Sequence, residues 1–326
     1  MAIPGEAGDV SVPPAYVKIA VIGVGAVGAT IAYALMISGL ASEILLIDVN
    51  EARAEGEAMD LMHGLPFVRP VTVRSGKYED CAGAQIVVIA AGVAQKPGET
   101  RLELVKKNVA IFRQMVPQIT AAAPGAVLLV VSNPVDILTY ATNKISGFPA
   151  RQVLGSGTVL DTARLRTLIG QHLRIDSRSV HANVVGEHGD SEVVVWSRAS
   201  IAGMPLADFC RQRGSPCEPG FQAEITQQVS RAAYEIINRK GATYYAIGLG
   251  VRQIVEAILR DQDTVFTVST LLHGQLGIDD VCLSLPCVVD RGGVDAVLEP
   301  SLDDGELAAL KRSAALLYDT AREAGL

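Results

Sequence analysis

The stretch "KIAVIGVGAVGATIAYAL", residues 18–35, decides the fold. An apolar run leads into Gly23, Gly25 and Gly28, and a small-residue helical pattern follows them. Glycines at this G-x-G-x-x-G spacing permit a tight turn after a strand and let the chain approach a pyrophosphate closely. The helix that opens there turns its unpaired amides and the positive end of its dipole toward the same place. Three structural glycines in a strand–turn–helix would look alike locally, so a second feature carries weight. Asp48 closes the next apolar run, "EILLIDV" (43–49), twenty residues after Gly28. A carboxylate there accepts hydrogen bonds from a ribose diol and repels a 2′-phosphate, which points to NAD rather than NADP.

Outward from this motif, short apolar runs at 16–23, 43–49, 85–92 and 126–133 read as strands. Helical periodicity fits 26–39, 51–63, 102–121 and 135–146, and such alternation implies crossovers and a parallel sheet. The pattern changes after about residue 155. A helix is expected near 159–173, two strand-like runs flank "GEHGD", and helices fit 219–240 and 243–260. Strand-like runs near 264–269 and 281–290 precede a terminal helix at 303–323. The expected fold class is α/β: a doubly wound parallel (Rossmann) domain over 17–155 and a mixed α/β catalytic domain over 156–326. Residues 1–16, with Glu6, Asp9 and no basic or apolar segment, read as a flexible extension rather than a signal peptide.

Bulk composition narrows the partners. At 326 residues two domains are the natural division. No apolar run approaches the ~20 residues that span a bilayer, so no membrane partner is expected. The net charge of -7 is spread without a basic block, which argues against nucleic acid. The five cysteines (Cys81, Cys210, Cys217, Cys282, Cys287) include no C-x-x-C pair. Free thiols in a reducing compartment, no metal site and a cytoplasmic location are therefore expected.

The stretch "GSGTVLDTARLRTLIG" (155–170) holds Asp161, Arg164 and Arg166. Residues three apart share a helix face, so Asp161 and Arg164 point the same way. Arg166 lies about 200° round the helix from Arg164 and points elsewhere. A carboxylate and a guanidinium facing one pocket suit two tasks, orienting a histidine and clamping a substrate carboxylate. The histidine is His188 in "VVGEHGDSEVVVW", flanked by Glu187 and Asp190 and bracketed by Gly186 and Gly189. A histidine so placed is presented by a turn. A partner aspartate would raise its pKa and make it a proton donor to a ketone, or an acceptor from an alcohol. With a nicotinamide carrying the hydride, the chemistry is reversible reduction of a 2-oxo acid.

These residues closely resemble the L-lactate/L-malate dehydrogenase family. "GVGAVG", "GETRLELVKKN", "VSNPVDILTY", "LDTARLR", "GEHGDSE" and "KGATYYAIG" match family motifs in the family's order over about residues 17 to 323. The resemblance implies that His188 donates and accepts the proton, Asp161 partners it, and Arg164 grips the substrate carboxylate. It implies that Arg101 closes over the site on a mobile loop and polarises the carbonyl. Asn133 would contact the nicotinamide or a substrate oxygen, and Thr243 would line the substrate pocket. To Gly23, Gly25, Gly28 and Asp48 it adds Val27, Arg53, Tyr78, Gly92, Val93, Val131 and Ser156 as NAD contacts.

The loop "AAGVAQKPGETRLELV" (90–105) then sets the substrate. Gln95 faces the end of the substrate remote from Arg164, where malate-specific relatives carry arginine. A neutral amide leaves oxaloacetate with an uncompensated buried charge, while pyruvate presents only a methyl group. Lys96 could serve that charge only if the loop register shifted by one, and it is read as facing solvent. The expectation is pyruvate and L-lactate. The rivals are malate dehydrogenase of the same fold, a dehydrogenase for bulkier 2-oxo acids, and a non-catalytic NAD-binding protein.

Arg166 and His181 stand where bacterial members of the family hold the cations of an allosteric fructose 1,6-bisphosphate site. That site is shared across a two-fold axis, so the resemblance implies activation by this effector and a homotetramer. Tyr234 matches a position noted as a phosphotyrosine in some relatives, but it reads more simply as a helix-surface tyrosine.

Overall fold

The computed structural model describes residues 16–93, 98, 100–214, 217 and 220–326. The first strand, β1 (Lys18–Ile22), is buried along its whole length, as a parallel strand covered on both faces must be. It is followed by α1 (Ala26–Ser38), β2 (Glu43–Ile47), α2 (Glu51–His63), β3 (Thr72–Ser75), β4 (Ile86–Ile89), α3 (Arg101–Ala122), β5 (Val127–Val130), α4 (Val135–Ser146) and β6 (Val153–Gly155). These strands lie parallel in the order β3-β2-β1-β4-β5-β6, with the topological switch between β1 and β4. In open sheets of this kind ligands bind beyond the carboxyl ends of the strands at that switch.

The second half comprises α5 (Val159–Leu173), β7 (Val180–His181), β8 (Val184–Val185), β9 (Val193–Val194), β10 (Ser200–Ile201), β11 (Met204–Pro205), α6 (Leu206–Arg213), α7 (Phe221–Lys240) and α8 (Tyr245–Arg260). It ends with β12 (Thr264–His273), β13 (Asp279–Asp290), β14 (Gly293–Val297) and α9 (Asp304–Glu323). Strand β12 pairs antiparallel with β6, and β13 and β14 continue outward, so one nine-stranded sheet runs through both halves. The doubly wound arrangement with a mixed α/β second half is as expected.

Alternate residues of the central strands feed two cores. Ile22, Leu45, Val87 and Leu128 join Phe112 of α3, Leu138 of α4 and Leu310 of α9. Val21, Ile44, Val88 and Leu129 join Ile31 of α1, Ala54 of α2 and Val255 of α8 on the other face. A third cluster, including Leu165, Ile169, Val180, Phe221 and Val229, packs α5 against β7 and α7.

Two differences from the sequence reading have physical causes. Strands β3 and β6 were not legible, because each has only three or four residues and β3 ("TVRS") lacks an apolar run. The cysteines are not all free: Cys210 and Cys217 form a disulfide with Cα atoms 5.9 Å apart. Gly214 ends α6 in the left-handed region (φ 61°) and reverses the chain, which returns Cys217 to Cys210. Cys81, Cys282 and Cys287 are free and buried. Among the described residues no helix is long and apolar enough to cross a membrane.

Candidate active site

The motif at the end of β1 has the form a dinucleotide cradle requires. Gly23 takes φ +85°, and a side chain there would meet the backbone of Ala91 at 2.5 Å. A Cβ on Gly28 would stand 1.9 Å from the Gly23 carbonyl, so this glycine lets α1 pack against the turn. A Cβ on Gly25 would meet nothing within 4 Å, which leaves open space beside the N-terminus of α1. Gly25 offers no side-chain cap and the first turn has no acidic residue, so those amides are available to an anion.

Asp48 follows β2 and is half-buried. It accepts the Val24 N–H at 2.9 Å and the Asn50 N–H at 2.9 Å, which fixes the carboxylate beside the glycine turn. Tyr78 is half-buried; burial raises its pKa first, and Asp48 is among the charges that add to this. Val27 lies in the first turn of α1, and Arg53 lies exposed on α2, 3.9 Å from Glu57. Val131 and Ser156, both buried, follow β5 and β6, with Ser156 N–H bonded to Val130 O at 2.8 Å.

Asn108 is a residue that sequence reasoning missed. Buried on α3, it accepts the Val93 N–H at 2.9 Å and donates to Val93 O at 3.3 Å and Asn133 O at 3.1 Å. One amide thus staples the segment after β4, including Gly92 and Val93, to the turn after β5 that carries Asn133. A buried asparagine in an otherwise apolar helix face was the available signal.

His188 sits in the loop of the β8–β9 hairpin, where Val184 and Val185 pair with Val194 and Val193. The hairpin is pinned to the sheet by mutual Gly186–Ser284 backbone bonds of 2.8 and 2.9 Å. The His188 N–H donates to Asp136 Oδ2 at 2.8 Å, and Asp136 Oδ1 accepts Ser269 Oγ–H at 2.6 Å. Asp136, fully buried in the first turn of α4, was not singled out from the sequence. Burial pushes its carboxyl up to about 6.

The side chains of α5 come together as the three-residue spacing implies. His188 Nδ1 lies 2.5 Å from Asp161 Oδ2, and Arg164 Nη1 donates to Asp161 Oδ1 at 2.6 Å. Asp161 is buried, yet the cations of His188 and Arg164 outweigh desolvation and hold its carboxyl below the usual range. Burial opposes the charged form of His188, but Asp161, with help from Asp136, overcomes it and raises the imidazole to about 9. The ring retains some exposure (23%), so Nε2 is left for a ligand. Arg164 also lines a cavity of about 630 Å³ with Leu160, Ala163, Arg231 and Ala246.

Arg101 opens α3 behind a Thr100–Glu103 capping box and pairs with the buried Glu187 next to His188. Its Nη1 is 3.9 Å from Asp190, which accepts a 2.9 Å hydrogen bond from Tyr234 of α7. Tyr234 is therefore tied to the histidine loop. Thr243 is half-buried in the link between α7 and α8. Arg166 points away from Asp161, donating to Ala182 O and Asn183 Oδ1, both at 3.0 Å, next to the exposed His181 of β7. Gln95 and Lys96 lie outside the described residues.

A nucleotide cradle and a histidine–aspartate–arginine cluster on one continuous sheet define an NAD-dependent dehydrogenase. Residues 17–155 match the lactate/malate dehydrogenase NAD-binding domain, and residues 158–324 match the lactate/malate dehydrogenase α/β C-terminal domain. The chain belongs to the lactate/malate dehydrogenase family, and its cofactor is NAD(H). It is 53% identical to an L-lactate dehydrogenase of Acetivibrio thermocellus over 91% of this chain and 93% of the relative. It is 53% identical to L-lactate dehydrogenase 1 of Clostridium acetobutylicum over 93% and 97%. The crystal structure of a minor L-lactate dehydrogenase from Enterococcus mundtii superposes with a TM-score of 0.90 at 44% identity, covering 94% of this chain and 98% of that one.

Proposed function

We propose that the chain is an NAD-dependent L-lactate dehydrogenase that interconverts pyruvate and L-lactate. The observation that carries this reading is Asp161 joined through one oxygen to His188 and through the other to Arg164. The nicotinamide, when bound, supplies or takes the hydride. His188, protonated at neutral pH, gives its Nε2 proton to the carbonyl oxygen in reduction and recovers it in oxidation. Asp161 holds the ring through Nδ1, and Arg164 presents its guanidinium to the substrate carboxylate. Arg101, at the N-terminal end of α3 beside the histidine loop, stabilises the polarised carbonyl as water leaves. Gly23, Gly25, Gly28 and Asp48 hold the dinucleotide, with Val27, Arg53, Tyr78, Gly92, Val93, Val131, Asn133 and Ser156 completing its surroundings, and Thr243 lines the substrate pocket.

Gln95 directs the site to pyruvate over oxaloacetate, in keeping with relatives that are L-lactate dehydrogenases. The test is NADH oxidation followed at 340 nm with the two 2-oxo acids in parallel. Pyruvate should exceed oxaloacetate in kcat/KM by at least about 100-fold, the scale of an unpaired buried charge. Preference for oxaloacetate would overturn the substrate and place a cation, Lys96 foremost, against the second carboxylate.

Arg166 and His181 support a second reading, activation by fructose 1,6-bisphosphate in a cytosolic homotetramer. The hydrogen bonds described for Arg166 go to neutral oxygens, and burial lowers its pKa, so an incoming phosphate would meet an under-compensated cation. Exposed apolar side chains on α1, α2 and α8 (Tyr33, Ile37, Met59 and Leu249) suit burial between subunits. Titration of the bisphosphate should lower the KM for pyruvate, and no shift at any pH would contradict it.

A further inference from the structure

One acidic side chain at the site is left over by this chemistry. Glu192 stands at the end of the histidine loop, its N–H bonded to Gly189 O at 3.2 Å. Its Oε1 is buried without a hydrogen-bond partner, the single such side-chain atom among the described residues. The neighbouring carboxylates are all engaged: Asp161 with His188 and Arg164, Asp136 with His188 N–H and Ser269, and Glu187 with Arg101 and Ser191. A carboxylate buried without a donor costs more than the neutral acid in the same place.

We propose that Glu192 is a charge gate on anion binding: its carboxyl must carry a proton for a carboxylate substrate to seat against Arg164. The inference deepens the pyruvate reading above and rests on it. Asp161 and Arg164 on α5, and His188 and Asp190 on its own loop, lie within electrostatic reach of Glu192. Around that loop, α3 contributes Arg101, α4 Asp136 and α7 Tyr234, while α9 offers only the neutral Ser313 at this point. Burial first, then the charge of Asp161, pushes the Glu192 carboxyl up to about 8. With its proton in place, Arg164 faces one anion, Asp161, and has capacity for a second. With the proton lost, a second carboxylate charge lies within electrostatic reach of Arg164 and a substrate carboxylate is repelled. Binding and proton retention are therefore linked, and an anion that binds above neutral pH must draw a proton in with it.

Oxamate, an unreactive planar anion of pyruvate's shape, isolates this linkage from turnover. Calorimetric titration of oxamate into the NADH complex, in buffers of differing ionisation enthalpy, counts protons taken up per site. At pH 8 the wild-type complex should take up about half a proton or more, most of it at Glu192, and almost none at pH 6. E192Q should take up only about 0.1 at pH 8. The pyruvate KM of the wild type should climb about fourfold more than that of E192Q by pH 8.5. Wild-type uptake near 0.1 at pH 8 overturns the gate whether or not E192Q folds, and unchanged uptake in E192Q assigns the proton elsewhere and also overturns it. Absence of both oxamate binding and pyruvate turnover would instead overturn the underlying substrate reading.

Discussion

Asp161 Oδ2 lies 2.5 Å from Nδ1 of His188, while the other oxygen of the same carboxylate takes a hydrogen bond from Arg164. One buried anion on α5 thereby orients both His188, the proposed proton donor, and Arg164, the cation proposed for the substrate. Asp161→Asn should keep the shape and lose the charge that sustains the imidazolium. The expected cost in kcat/KM for pyruvate is about 10²- to 10⁴-fold, with NADH affinity nearly unchanged. A loss below tenfold would mean that the pairing is structural only.

The pH dependence follows from the same pair. His188 is raised in the folded enzyme from the ordinary 6.5 to about 9. Its stabilising contribution is complete below about 6.5 and is lost as pH rises through about 9. With His188 as the proton donor, the kcat of pyruvate reduction should decline through that upper range, whereas the kcat of lactate oxidation, which uses the neutral ring, should gain at saturating lactate. A pH–rate profile for reduction that turns over near 6.5 would contradict the ion pair.

Asp136→Ala tests the support beneath the histidine. The substitution strands the His188 N–H and the Ser269 hydroxyl, which are bonded to Asp136 at 2.8 and 2.6 Å. At about 1–3 kcal/mol for each buried group left unpaired, denaturant unfolding should show a loss of about 2–6 kcal/mol. Turnover should fall with it even though Asp136 is not expected to touch the substrate.

Two substitutions examine the cofactor cradle. Asp48→Ala should weaken NADH by about tenfold and erode discrimination against NADPH, read by protein fluorescence titration. Gly28→Ala forces a Cβ to within 1.9 Å of the Gly23 carbonyl, a backbone atom with no freedom to give. It should cost about 1–3 kcal/mol of stability and displace α1 from the turn.

The readable parts of the chain were those with a strong local period or a covalently fixed spacing. The buried runs of β1, β2, β4 and β5 and the long helices α1 to α5 are of this kind. The three-residue spacing of Asp161 and Arg164 foretold their shared face, and the two-residue step to Arg166 foretold its departure. What escaped was set by tertiary contact. Asn108 and Asp136 take their roles from elements far along the chain, and the two-residue strands β7, β10 and β11 carry no periodicity to detect. The Cys210–Cys217 disulfide depends on a reversal at Gly214 that spacing by itself does not disclose. Glu192 is a plain acidic residue in sequence, and only its unpartnered buried oxygen sets it apart.

The central claim is that His188, held by Asp161, moves the proton. Its most direct test is His188→Asn, with NADH binding measured by fluorescence and pyruvate-dependent NADH oxidation measured at 340 nm on the same preparation. The account predicts NADH affinity within about twofold of the parent and turnover lower by at least about 10³-fold. Turnover near the parental rate with NADH still bound would contradict it and move the proton donor to another group.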